Sequence, residues 1–100
     1  MARARGTNGD GGTFGEDTVE NVWKKGAEIA GRDAGTYRKD ACGTMIKRSD
    51  HGNTSSDYGW EVDHKNPVAN KGTDSLDNLQ PLYWKTNRDK GDTYPWSCPK

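Results

Sequence analysis

The chain has 100 residues, 29% of them hydrophobic, and its 15 basic and 15 acidic side chains give a net charge of zero. This length allows one small domain, and no apolar run approaches the about 20 residues of a transmembrane helix. The neutral balance also excludes the global basic excess that is typical of nucleic-acid-binding proteins, so such a partner must be held by local charge. Four Trp and four Tyr supply burial area that the scarce aliphatic residues do not.

Residues 1–16 contain five glycines and only one aromatic residue, with no periodic pattern, which predicts a flexible Gly-rich arm. Arg3 and Arg5 are candidates for contact with a phosphate backbone, although this composition favours a solvated tail. The start of the chain lacks the apolar segment of a secretory signal, so we expect a cytoplasmic location. We expect residues 17–100 to form a single domain.

Helical spacing of apolar residues begins near Asp17. The pattern predicts a helix over residues 17–30, with Asp17 or Thr18 as its N-cap and Gly31 as its end. Its apolar stripe is expected to pack on the core, and it consists of Val19, Val22, Trp23, Ala27 and Ala30.

The other elements follow in chain order. They are a strand or turn at 37–39, a weak strand at 41–48, strands at 60–64 and 78–82, and a helix at 83–90 that ends at Gly91. The tail that follows contains Pro95 and Pro99, so we expect it to be irregular, with Trp96 folding back onto the domain. The order helix, strand, strand, loop, strand, helix predicts an α+β fold.

The two cysteines, Cys42 and Cys98, lie 56 positions apart and form no Cys-x-x-Cys pair. Their distribution favours two reduced, structural thiols. A disulfide that fixes the C-terminal end to the core is the main alternative, and a zinc site that combines them with His51 is a weaker one. His51 itself lies among turn residues and is expected to be an exposed loop side chain.

The most informative stretch is residues 60–92, WEVDHKNPVANKGTDSLDNLQPLYWKTNRDKGD. It resembles the HNH endonuclease family, in order and in spacing. The matching elements are Asp63-His64 at a strand end, Pro67, the Gly72-Thr73-Asp74 turn, Asn78-Leu79-Gln80, and Asn87 with Lys90 on a helix. The sequence departs from some relatives in having Asn87 where they carry histidine, and it lacks the cysteine pairs that bind a structural zinc in other branches.

The resemblance implies a ββα-metal unit, in which a two-stranded antiparallel hairpin and a helix hold one divalent cation against a phosphodiester. It implies that His64 is the general base and that Asp63 and Asn87 are metal ligands. It further implies that the amide of Asn78 holds together the loop that carries the histidine. The implied substrate is DNA, in double-stranded form, cut to leave 5′-phosphate and 3′-hydroxyl ends.

The chemistry of these side chains fits the implied roles. A histidine has an ordinary pKa of about 6.5, so it can accept a proton from water at neutral pH. Asp63 and Asn87 offer only oxygen ligands, which suit Mg²⁺ or Mn²⁺ better than zinc. A structural zinc is not expected, because the chain lacks the cysteine pairs that would bind it. Because adjacent strand residues point to opposite faces, we expect Asp63 and His64 to lie where the strand turns into the loop.

A local basic rim is the predicted nucleic-acid contact, because phosphate contacts dominate affinity for DNA. Its members are Lys65, Lys85, Arg88 and Lys90, although any single one of them is equally well explained as solvated surface. Two other functions stay open: a non-catalytic nucleic-acid-binding module with the same fold, which the zero net charge favours, and a small zinc-stabilised structural domain. The sequence does not decide the oligomeric state.

Overall fold

The computed structural model describes residues 6–99. It confirms the α+β fold as two helices and two small antiparallel hairpins. The elements are α1 (Glu16–Trp23), β1 (Tyr37–Lys39), β2 (Met45–Lys47), β3 (Trp60–His64), β4 (Leu79–Tyr83) and α2 (Trp84–Lys90). Short 3-10 turns follow β2, at Arg48–Asp50, and interrupt the loop between β3 and β4, at Val68–Asn70 and Leu76–Asn78.

The predicted ββα unit consists of β3, β4 and α2. The two strands pair from Trp60 opposite Tyr83 to His64 opposite Leu79, and α2 begins at the residue after β4. Asp63 and His64 therefore both lie within the strand ladder, with His64 as the last residue of β3. The expected turn from strand into loop begins only after His64.

The core lies between α1 and the two hairpins. The Trp23 and Trp60 rings pack against each other with centroids 5.3 Å apart, and both side chains are buried. Each indole N–H also finds a backbone acceptor, Ala34 O for Trp23 and Lys47 O for Trp60. The other members of the buried apolar cluster are Val19, Val22, Ile46, Val62 and Leu79. Two large aromatic rings thus provide much of the burial that a chain poor in aliphatic residues requires.

Helix α1 is shorter than predicted, because it ends at Trp23 rather than near residue 30. Beyond it, Ala27 pairs with Lys39 in an antiparallel bridge, so the backbone has already turned toward β1. A Cβ at Gly26 would lie 2.8 Å from the Lys39 carbonyl oxygen, which is too close for a side chain. Gly26 therefore permits a close backbone crossing.

The region before β3 forms a hairpin of its own, in which Tyr37 lies opposite Lys47 and Lys39 opposite Met45. Residues 37–39 are a strand, and the strand predicted over 41–48 is reduced to Met45–Lys47. The turn between them is held by the buried carboxylate of Asp40, which accepts hydrogen bonds from the backbone N–H groups of Cys42 and Thr44 at 2.9 and 2.8 Å. Its second oxygen accepts the N–H of Tyr83 at 2.7 Å, which ties this turn to the end of β4.

Cys42 and Cys98 form a disulfide, so the prediction of two reduced thiols is wrong and the alternative of a pinned C-terminal tail is correct. With the two sulfur atoms bonded to each other, neither is free to join His51 as a zinc ligand. The tail beyond α2 has no helix or strand through residue 99, and the half-buried Trp96 ring lies 6.0 Å from the Lys90 ammonium. Trp96 therefore folds back onto the domain.

The described part of the predicted arm, residues 6–15, contacts the domain. The N–H of Gly9 donates to both carboxylate oxygens of Asp74, at 2.9 and 3.0 Å, and the Phe14 ring lies 5.7 Å from that of His64. Arg3 and Arg5 lie outside the described residues. Within residues 6–99, no helix is long and apolar enough to span a bilayer.

Candidate active site

Asp63 is a buried carboxylate with donors on both oxygens. Lys90 Nζ lies 3.2 Å from Oδ1, and Gln80 Nε2 donates to Oδ2 at 2.9 Å. Lys90 also donates to the carbonyl oxygen of His64 at 2.9 Å, so one ammonium joins both residues of the Asp-His pair. Burial raises the pKa of Asp63 above its ordinary value, while the hydrogen bond from Gln80 and the charge of Lys90 oppose that rise.

His64 is 5% exposed and is held through its ring. Its Nε2 lies 2.7 Å from Oδ1 of Asp74, across the loop that joins β3 to β4. If this nitrogen carries the hydrogen that is shared with the carboxylate, the lone pair of the neutral ring is on Nδ1. The Phe14 ring lies next to it, with the two ring centroids 5.7 Å apart.

Asn87 lies on α2 and is 1% exposed. Its Nδ2 donates to Glu61 Oε1 at 2.9 Å, which orients the amide and leaves Oδ1 as an acceptor. This Oδ1 is buried and has no hydrogen-bond partner among the described residues. Since a buried carbonyl oxygen without a donor is costly, the atom is a candidate ligand for a cation or a water.

These three residues line one small pocket together with Lys90. Its volume is about 10 Å³, close to that of a single water-sized sphere. The arrangement places a carboxylate, an imidazole and an amide at one cavity, at the junction of β3 and α2. These are the side chains for which the resemblance to the HNH family implies the roles of base and metal ligands.

A second carboxylate, Glu61, supports the same helix. Arg88 donates to it twice, from Nη1 to Oε1 at 3.1 Å and from Nη2 to Oε2 at 3.0 Å. Glu61 is buried, and it also accepts the hydrogen bond from Asn87. The paired Glu61 and Arg88 thus fix the position of α2 and the orientation of the Asn87 amide.

Asn78 lies at the far end of the β3–β4 loop and makes three hydrogen bonds to its backbone. Oδ1 accepts the N–H of Asn66 at 2.8 Å, and Nδ2 donates to the carbonyl oxygens of Asn66 and Thr73 at 3.0 and 2.8 Å. The loop is closed further at Gly72, where a Cβ would clash with the Asn66 carbonyl oxygen. These bonds hold the segment that follows His64, and they also hold the turn that carries Asp74.

The residues predicted for the basic rim have different positions. Lys65 and Lys85 are exposed, and the Lys85 ammonium lies 5.5 Å from the Trp84 ring. Arg88 is 41% exposed in its side chain but bonded to Glu61. Lys90 does not lie on a rim at all, because its side chain is 1% exposed and its ammonium is bonded to Asp63. Lys90 and Asn87 are spaced so that they share one face of α2, but this face packs on β3.

Three residues of the site were not assigned a role from the sequence: Glu61, Asp74 and Gln80. Asp74 and Gln80 belong to the stretch at residues 60–92 that resembles the HNH family. Gln80 lies opposite Asp63 in the hairpin, so its contact with Asp63 follows once the strand register is known. Glu61 differs, because its partners lie 26 and 27 positions away on α2. Side chains alternate between the two faces of a strand, so Glu61 and Asp63 share a face of β3. This alternation is the sequence feature that points to Glu61 as a residue of the site.

The side chains also permit a test of whether a divalent cation fits. Among residues 6–99 there is no cluster of three or more His, Cys, Asp or Glu side chains that could hold a metal. The pocket is lined by the carboxylates of Asp63 and Asp92 and by the amide of Asn87, whose Oδ1 is buried without a partner among the described residues. Such oxygen donors fit Mg²⁺, which retains several water ligands. The Lys90 ammonium on Asp63 opposes a second positive charge there.

The hairpin, the following helix and the pocket between them define a ββα unit with an Asp-His-Asn site. The sequence model of the HNH endonuclease family matches residues 42–93, just over half of the chain, and the chain belongs to this family. Neither a comparison with curated proteins nor one with solved structures finds a match. The family relationship indicates a nuclease-type or nucleic-acid-related module, and nucleases of this family generally use a divalent metal.

Proposed function

We propose that this chain is a metal-dependent HNH endonuclease that hydrolyses phosphodiester bonds in double-stranded DNA. The single observation that carries the proposal is Oδ1 of Asn87, which is buried without a hydrogen-bond partner among residues 6–99, on a side chain that lines the same pocket as Asp63 and His64. A divalent cation would satisfy this buried oxygen. The family match supports the same class of reaction.

In the proposed reaction, His64 accepts a proton from the attacking water at Nδ1, and Asp74 holds the ring through Nε2. Asp63 and Asn87 would hold Mg²⁺ or Mn²⁺, which when bound supplies positive charge to the phosphate and to the leaving 3′ oxygen. Asn78 keeps the loop rigid, so that His64 and Asp74 remain in register. Lys65 and Lys85 are exposed and can contact neighbouring phosphates.

The test is a plasmid-nicking assay in Mg²⁺ and in Mn²⁺, with His64→Ala beside wild type. A general base contributes about 10²–10⁴-fold, so the variant should lose activity by that factor. His51→Ala is the matched control, because His51 is the other histidine of the chain and does not line the pocket. Equal nicking by His64→Ala and wild type, with both folded by circular dichroism, would overturn the role of His64.

A second candidate is a non-catalytic nucleic-acid-binding module, and the observation that favours it is Lys90. Its ammonium already occupies Asp63 Oδ1, so the carboxylate is neutralised without a metal. Such a module would bind duplex DNA with a strong dependence on salt. It would show no nicking in either cation, whereas the enzyme would both bind and nick.

A further inference from the structure

A groove lies between β4 and the C-terminal tail. One cavity of about 370 Å³ is lined by Lys65, Gln80 and Lys90 on one side and by the tail from Tyr94 to Cys98 on the other. A second cavity of about 370 Å³ shares Lys65 and Gln80 with it and adds Lys25. Each is in the volume range of small-ligand sites, which is roughly 300–1,000 Å³. We call the two together the tail groove.

The tail groove has a positive floor. Lys25 and Lys65 are both exposed, and no acidic side chain of the described residues lines either cavity. Lys25 Nζ donates to the carbonyl oxygens of Leu76 and Leu79, at 2.5 and 2.8 Å, which fixes the ammonium in place without neutralising its charge. Burial and the nearby charge of Lys65 lower the pKa of Lys25, while Asp77 opposes them. Two cations line one cavity, and neither forms an ion pair with a carboxylate among residues 6–99, so the groove favours an anion.

The opposite wall is aromatic. Tyr94 is 52% exposed, and Trp96 is half-buried with the Lys90 ammonium 6.0 Å from its ring. The Cys42–Cys98 disulfide holds this part of the tail against the domain, so the wall is formed before a ligand arrives. A flat aromatic surface beside fixed cations is the usual platform for an unpaired base and its phosphate.

The tail groove adjoins the candidate active site. Lys90 lines both the groove and the pocket of Asp63, His64 and Asn87. Gln80 and Lys90, which line the groove, are the two donors that hold the Asp63 carboxylate. If a phosphate of a DNA strand lies at the pocket, the neighbouring nucleotide of that strand would therefore lie in the groove.

We propose that the tail groove binds one nucleotide that is displaced from the duplex, next to the cleaved phosphodiester of the DNA strand. Its phosphate contacts Lys25 and Lys65, and its base stacks on Trp96. This rests on the proposed function for the identity of the polymer, but not for the existence of the site. An acidic peptide would use the cations and leave the aromatic wall without a purpose, so the wall favours a nucleotide.

The experiment measures binding without cleavage. The oxidised full chain is titrated into a fluorescein-labelled single-stranded oligonucleotide in EDTA, and anisotropy is followed over a series of NaCl concentrations. The variant Lys25→Gln/Lys65→Gln should bind at least about tenfold more weakly at low salt. Its salt slope should fall by about 0.7 for each phosphate that the variant no longer neutralises. The matched control is Lys24→Gln/Lys39→Gln, which removes the same charge from two exposed lysines outside the groove.

The aromatic wall is tested separately. Trp96→Ala should weaken binding by about 5- to 150-fold, since stacking contributes roughly 1–3 kcal/mol per base, and Trp96→Phe should restore most of the affinity. Cys42→Ser/Cys98→Ser, which releases the wall without changing its aromatic residues, should weaken binding as well. Competition with a poly-glutamate peptide tests whether the groove binds an acidic peptide instead of a nucleotide.

Three results would overturn the tail groove: no measurable binding by wild type, equal losses in the groove and control variants, or full affinity in Trp96→Ala with effective competition by poly-glutamate. Failure of the groove and failure of the proposed function are distinguishable. If wild type nicks plasmid and the groove variants bind and nick equally well, only the groove is wrong. If wild type does not nick but the groove variants alone lose binding, only the nuclease assignment is wrong.

Discussion

The two buried carboxylates of β3 lie two residues apart and are held in different ways. Glu61 is bonded to both terminal nitrogens of Arg88 and to the Asn87 amide, whereas Asp63 is bonded to the single ammonium of Lys90 and to Gln80. A guanidinium fork matches a carboxylate in shape, while an ammonium is a compact charge on a flexible stem that another cation can replace. The comparison suggests that Glu61 fixes the helix and that Asp63 is the carboxylate able to exchange partners.

The largest expected effect is on the Asp63 side. Lys90→Met removes the only cation that bonds to Asp63 among the described residues and leaves the carboxylate buried. Breaking a buried pair in this way costs about 3–5 kcal/mol, so the free energy of unfolding in urea and EDTA should fall by about that amount. Asp63→Asn/Lys90→Met should recover part of the loss. A variant as stable as wild type would show that Lys90 does not neutralise Asp63.

Release of the C-terminal tail should also weaken the packing around Asp63. Trp96 covers Lys90, so Cys42→Ser/Cys98→Ser loosens the packing around Asp63 as well as removing the cross-link. A cross-link over this many residues typically contributes about 2–4 kcal/mol, and urea unfolding should show a loss of that size. Hydrogen exchange should rise in α2 near Lys90 more than in β1 and β2. A uniform rise would contradict the link between the tail and Asp63.

The Glu61 side should be less sensitive and should not respond to metal. Arg88→Met removes two charge-assisted hydrogen bonds, but the guanidinium is partly exposed, so the expected loss is about 1–3 kcal/mol. Adding Mn²⁺ should raise the melting temperature of Lys90→Met, whose Asp63 is open to the cation, more than that of Arg88→Met. Equal responses to Mn²⁺ would remove the distinction between the two carboxylates.

The smallest expected effect is at His51, whose ring lies 4.8 Å from that of Trp60. Burial and then the charge of Arg48 lower the pKa of His51, while Glu16 and Glu61 act in the opposite direction. The unfolded chain therefore binds a proton at about pH 6.5 that the folded chain does not, so stability is lost as pH falls below about 6.5. In His51→Gln, the free energy of unfolding measured with urea should change less between pH 7 and 5 than in wild type. Glu61→Gln should lower the His51 pKa further in an NMR titration. A pH dependence that is unchanged in His51→Gln would assign it to another group.

The resemblance of residues 60–92 to the HNH family predicted the ββα unit, and the residues supported it with short strands at 60–64 and 78–82 and a helix that ends at Gly91. It also brought Asp63, His64 and Asn87 into one expected site, which the structure places around one pocket. The roles of these residues stay predictions. Where sequence reasoning failed, the cause was tertiary: α1 ends early because the backbone crosses Lys39 at Gly26, and Lys90 turns inward because a buried carboxylate lies opposite it.

The contacts of Glu61 with Arg88 and of Cys42 with Cys98 could not be read from spacing, since each joins segments far apart in the chain. Composition favoured reduced thiols only because two cysteines in a small charged domain lack the spacing pattern of a disulfide framework. A pairing of distant residues depends on the path of the backbone, and that path depends here on the Asp40 turn, which places Cys42 beside the tail.

The Cys42–Cys98 bond has a consequence for the compartment in which the chain works. Glutathione and thioredoxin keep cytosolic thiols reduced, so in a reducing compartment the tail would be held only by its noncovalent contacts. The aromatic wall would then be assembled in oxidising surroundings and loosened in reducing ones. DNA binding measured before and after thioredoxin treatment would show whether the molecule depends on the chemistry of its surroundings.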